Sequence, residues 1–184
     1  MKIGIIAWGS LITNAGELSV KNDTWFNDGP KLPIEFARIS KNKRITLVIY
    51  PPFEEIATYY NTSSHNDLDL AKENLAKREG TTLNNIGSIN FKSGEIISKK
   101  IPTELKKTLS IWNLNRDFDA LIWTDLNENF KEKLNRQFSL ESSFEHLKSL
   151  STDELNLAKE YILSAPSNTQ TRHREALTTF INNL

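Results

Sequence analysis

Residues 3–7 read Ile3, Gly4, Ile5, Ile6 and Ala7, an apolar run without polar alternation. A strand of this kind has no face to offer to water, so it belongs inside a sheet covered on both sides. Trp8, Gly9 and Ser10 follow directly and turn the chain away from the strand end.

Further strand patterns fill the first two thirds. Residues 32–40 alternate, with Ile34, Phe36 and Arg38 set on one face, and residues 45–50 are rich in β-formers. With Asn42 and Lys43 as the turn they predict a hairpin, ended by Pro51 and Pro52 because proline donates nothing to a central ladder. Residues 55–60, 86–91, 96–101 and 119–124 read as strands, and residues 18–30 as loop. Leu68, Ala71 and Leu75 form the stripe of an amphipathic helix over residues 67–78. Asp67 caps its start, Lys77 and Arg78 suit its negative end, and Gly80 is placed to stop it.

Helical patterns dominate from Pro102: residues 102–111, residues 127–150 with a break near 139–143, and residues 172–183. Ser151 with Glu154 opens one more helix, over 151–163, with a capping-box pattern. The succession predicts a single α+β domain over residues 1–184: a mixed sheet or small barrel in residues 1–125, then a helical C-terminal extension over 126–184.

Composition removes several function classes. Lysine plus arginine equals aspartate plus glutamate, 23 against 23, so no global field draws the chain to nucleic acid or to an anionic membrane. There is no cysteine, which excludes disulfides, thiolate metal sites and cysteine nucleophiles within it. No run approaches the roughly 20 apolar residues of a membrane span. Met1 and Lys2 precede an apolar run with no small-x-small cleavage site, so a cytoplasmic location is expected.

Two elements offer chemistry. A glycine after a strand lets the backbone turn sharply, leaving amide hydrogens directed into the space beyond, where they can hold a carboxylate or an oxyanion. Gly9 and Ser10 fit that description, and they also fit a plain strand exit. Ser10 is not in a Gly-x-Ser-x-Gly context, which argues against a nucleophile. Glu79 ends a helix, where the dipole disfavours negative charge and raises a carboxyl pKa, towards general acid–base use if it is also buried. Its plain alternative is a solvated helix-end charge. Arg38 is a candidate partner for a substrate carboxylate, or an ordinary surface charge. His65, Asp67 and Asp69 are crowded like metal ligands, but a loop histidine and a helix cap account for them, so no metal is expected. Arg172, His173 and Arg174 read as the solvated face of the last helix.

The segment Ala7, Trp8, Gly9, Ser10, Leu11 after an apolar strand resembles the Tyr-Gly-Ser-Asn/Leu signature of gamma-glutamylcyclotransferase-like proteins. Leu75 to Gly80 resembles that family's helix-ending Leu-Asp-x-x-Glu-Gly segment, with Glu79 at the acidic position, and the two elements come in the family's order. Residues 32–48 are similar to a bacterial branch of the same fold. The likeness spans residues 1–125; Trp8 replaces the signature tyrosine, and Leu11 stands where many members carry asparagine.

The resemblance implies a small barrel flanked by helices, and a cofactor-free enzyme that cleaves a γ-glutamyl amine or peptide to 5-oxoproline and a free amine. It implies Glu79 as the acid–base group, and a substrate held by the segment Ala7, Trp8, Gly9, Ser10 and Leu11. Two other readings stand beside it: a binding module that keeps the pocket without catalysis, and a protein-interaction domain that uses its C-terminal helices.

Overall fold

The computed structural model describes residues 1–99 and 103–184, and of residues 103 and 104 the backbone alone. The apolar run forms β1 (Ile3–Ala7). It pairs in parallel with β9 (Ala120–Thr124) on one side and antiparallel with β6 (Tyr59–Thr62) on the other. Beyond β9 lie β7 (Ile86–Asn90) and β8 (Ile96–Ile97), which gives a mixed sheet of order β6-β1-β9-β7-β8. The remainder of the expected strand at 96–101 falls partly on residues 100 and 101, outside the described residues.

Both faces of β1 are covered, because alternate side chains enter different cores. Ile3, Ile5 and Ala7, with Ala120 and Ile122, pack against Ala71, Leu75 and Ala76 of α2 (Leu68–Arg78). Ile6, Trp8, Leu121 and Trp123 face the opposite way, into the core shared with Phe36, Ile162 and Leu177.

No closed barrel is found among the described residues. β3 (Ile34–Ile39) and β4 (Ile45–Ile49) form a separate two-stranded ladder, and so do β2 (Lys31–Leu32) and β5 (Ile56–Ala57). Pro33 interrupts the passage from β2 to β3, and Pro51 and Pro52 that from β4 to β5; proline supplies no ladder donor at such joints. Helices, rather than further strands, cover the hairpin.

The hairpin carries a second difference. Phe36 pairs with Leu47 but Arg38 pairs with Thr46, so Ala37 is an extra residue in β3. A bulge of this kind reverses the alternation beyond it. Phe36 enters the core, whereas Arg38 lies on the other face beside Thr46, not on the face of Phe36 as the alternation predicts.

The turn expected after β1 closes into a short helical turn, α1 (Ser10–Thr13). α3 (Thr103–Asn113) follows β8; Pro102, where a helix is expected to begin, lies outside the described residues. The predicted helix over 127–150 divides into α4 (Phe130–Leu134) and α5 (Leu140–Lys148). The division falls at Asn135, with φ of 54°, and Ser139 caps α5 instead of breaking it. Ser151 and Glu154 make the predicted capping box of α6 (Thr152–Leu163), and α7 (Arg174–Asn182) closes the chain.

The C-terminal helices are pinned to the strands by specific bonds. Glu35, fully buried on β3, accepts from the Thr171 hydroxyl at 2.7 Å and the His173 amide at 3.0 Å. His146 Nε2 donates to the Lys43 carbonyl at 2.7 Å, and Lys43 pairs with Glu154 at 2.8 Å. Thr169 donates to the Trp8 carbonyl at 3.0 Å. Arg172, His173 and Arg174 are therefore not one solvated face. Arg172 is exposed near Glu54, His173 packs edge-on against Phe53, and Arg174 donates to the carbonyls of Ala165, Pro166 and Thr169. No helix among the described residues is long and apolar enough to cross a membrane.

Candidate functional site

α2 positions Glu79 through the way it ends. Asp67 caps the helix start, accepting from the amides of Asp69 and Leu70 at 3.0 Å each, which leaves its carboxylate engaged in the fold. At the other end Gly80 adopts a left-handed φ of 59°. Its N–H donates to the Lys77 carbonyl at 3.1 Å, while the Thr81 N–H reaches back to Ala76 at 3.0 Å. This is the Schellman closure, and a side chain at position 80 would oppose it. The last residue before it, Glu79, points towards the end of β1.

There the chain forms a cleft of about 310 Å³. Ala7, Trp8, Gly9, Ser10 and Leu11 line one side, and Arg78 with Glu79 another. The hairpin adds Arg38, Arg44, Thr46 and Leu47, and α6 adds Tyr161. Every residue singled out in the sequence as a site candidate thus borders the same space, although β1, β3 and α2 bring them there separately.

The site is polar and partly enclosed. The Glu79 side chain is 18% exposed and accepts from Arg78 Nη1 at 2.6 Å. Burial pushes its carboxyl above the ordinary value, and the charge and hydrogen bond of Arg78 pull it back only in part. Arg78 is itself anchored, because Nη2 donates to the Asn14 carbonyl just beyond α1. The amide hydrogens of Gly9, Ser10 and Leu11 make no hydrogen bond to a described residue, and all three residues line the cleft.

Arg44 and Tyr161 are the members that sequence reasoning missed. Tyr161 sits in the apolar stripe of α6 and reads as core; its ring does meet Phe36 edge-on at 6.4 Å. Yet the residue lines the cleft, and its hydroxyl accepts from the Leu47 amide at 3.4 Å and keeps its own proton to donate. Burial and then the field of Glu79 push its pKa up to about 12, against the Leu47 bond and the charges of Arg44 and Arg78. The hydroxyl therefore stays neutral at physiological pH. Arg44 stacks over the same ring, 5.2 Å from its centroid. Only the fold of the hairpin against α6 brings the two together, and no local pattern signals it.

A carboxyl with a raised pKa, free backbone amides and a neutral phenol around one small cleft define a site equipped for proton transfer beside a polarised carbonyl. No family model, curated protein or solved structure matches the chain.

Proposed function

We propose that this protein is a gamma-glutamylcyclotransferase-like enzyme, its sheet and detached hairpin being an opened form of that family's barrel. The observation that carries the reading is the meeting of Glu79 with the turn at Gly9 and Ser10 in one cleft. The sequence resemblance assigns acid–base and binding roles to these same two elements.

In this reading the substrate's α-amine attacks its own γ-carbonyl, which forms the new C–N bond of 5-oxoproline and breaks the original amide. Glu79 accepts the proton that the attacking amine loses and returns it to the departing nitrogen, so no cofactor is consumed. The free amides of Gly9 and Ser10 stabilise the oxyanion of the tetrahedral intermediate, and fixed orientation supplies much of the rate. The raised pKa of Glu79 brings its proton affinity closer to what both transfers require.

The ion pair between Arg78 and Glu79 favours a second reading, a binding site without turnover, since a carboxylate held by arginine is a weaker base. Release of 5-oxoproline from a panel of γ-glutamyl amines and peptides, measured on the wild-type protein and on Glu79→Gln, separates the two. The enzyme reading requires product from the wild type and a loss of at least about 100-fold in Glu79→Gln. Binding without product from any member of the panel would overturn it.

A further inference from the structure

Among the described residues, Tyr161 is the one member of the cleft carried by a C-terminal helix. The family likeness ends at residue 125, so it assigns this side chain no role. Its oxygen is fixed between two walls. It accepts from the Leu47 amide at 3.4 Å and stands 3.1 Å from the place that a β-carbon on Gly9 would take. The Trp8 indole donates to the carbonyl of the same Leu47 at 3.3 Å, so the strand exit and α6 grip one hairpin residue by both of its backbone polar groups. The ring itself is held edge-on by Phe36 and on its face by Arg44.

One lone pair of the hydroxyl is thus spent on Leu47, while its proton meets no acceptor among the described residues. Glu79 acts on the phenol through its field, and its carboxylate is held by Arg78. The amides of Gly9 and Ser10 lack an acceptor in the same way. Three donors around one turn call for a ligand oxygen that accepts. A cationic amine has no lone pair to offer them, whereas a carbonyl oxygen does, and it accepts more strongly as charge develops on it. The guanidinium of Arg44 over the ring face makes the phenol a better donor.

We propose that Tyr161 is a catalytic residue, its hydroxyl donating to the ligand's carbonyl oxygen beside the amides of Gly9 and Ser10. The inference rests on the γ-glutamyl reading and adds a donor from outside the elements on which that reading stands. As the α-amine attacks, the new C–N bond forms and the carbonyl π pair moves onto oxygen. Tyr161 holds that oxyanion and keeps its proton; Glu79 alone carries protons between the two nitrogens. Collapse restores the C=O bond and breaks the original amide bond. A phenol that stays neutral at physiological pH suits this role, since an ionised one would repel the oxyanion.

The test is Tyr161→Phe, which keeps the ring and removes only the oxygen. Release of 5-oxoproline from γ-glutamylalanine is expected to lose at least about tenfold in kcat with KM within about twofold. Calorimetry adds a measurement that needs no turnover, using a phosphinate whose tetrahedral, anionic phosphorus replaces the γ-carbonyl. The wild type should bind it at least about tenfold tighter than Tyr161→Phe does. Melting curves establish that the variant is folded. If it is not, a fluorotyrosine placed at position 161 takes its part: this more acidic phenol should bring an alkaline loss of kcat to lower pH, which a merely structural side chain would not do. Wild-type kcat in Tyr161→Phe, equal phosphinate binding by the two proteins, or a pH profile that fluorination leaves unmoved would overturn the role and leave the γ-glutamyl reading standing. Tighter phosphinate binding by the wild type without any 5-oxoproline would remove the enzyme reading and leave Tyr161 as the oxyanion donor.

Discussion

The Tyr161 hydroxyl lies 3.1 Å from the position that a β-carbon on Gly9 would occupy, so the turn after the first strand and a helix near the C-terminus share one wall of the cleft. The same β-carbon would stand 3.5 Å from Leu47 Cδ1, and a methyl group there has to displace the phenol or the hairpin. Gly9→Ala is therefore expected to destabilise the protein and to impair ligand binding. The added Tyr161→Phe change, which removes the oxygen the methyl meets, should recover part of the stability. Denaturant unfolding of the two single variants and the double variant should show a coupling of about 0.5–3 kcal/mol. Additive effects would mean that the two residues do not press on each other.

Glu79 carries a stability cost of its own. Its folded pKa is raised above the ordinary carboxyl value, so between the two values the folded state holds the proton more tightly than the unfolded chain does. Stability contributed by this group is present at low pH and is lost as pH rises through that window. Glu79→Gln, neutral throughout, should melt above the wild type at pH 7. The difference should close near pH 4, and a gap that widens in acid would contradict the assignment.

Glu35 holds the C-terminal segment from inside the protein. Itself fully buried, it accepts from Thr171, from the His173 amide and from the Phe36 amide at 2.7 Å. Glu35→Ala leaves those donors unsatisfied and should cost more than about 2 kcal/mol, since hydrogen bonds to charged groups are worth roughly 1.5–3 kcal/mol each. Limited proteolysis should then cut between α6 and α7 well before the strands of the main sheet. Glu35→Gln, which keeps an acceptor, should be milder.

His173 gives the same junction a dependence on pH. Burial lowers its pKa, with Glu35 opposing and Arg172 assisting, and its Nδ1 is buried without a partner. A depressed pKa means that stability is present above the ordinary histidine value of about 6.5 and is lost as pH falls from there towards the folded value. The melting temperature should drop across that interval in the wild type. His173→Phe, which keeps contact with Phe53 and Phe138, should flatten this part of the profile.

The sequence by itself determined the local frame. The unbroken apolar run of β1, the Asp67 cap, the Gly80 stop and the capping box of α6 are all properties of short segments, set by side-chain period and backbone preference. Glu79 was legible for the same reason, since its place at a helix end is local. Tertiary structure alone decided that the hairpin stays detached from the main sheet and that the bulge at Ala37 turns Arg38 away from Phe36. It alone carried Arg44 and Tyr161, more than 100 residues apart in sequence, to the rim of one cleft. Periodicity reports which face of an element is apolar; it does not report which distant element will cover that face, and the charge and the hydroxyl of this site arrive on covering elements.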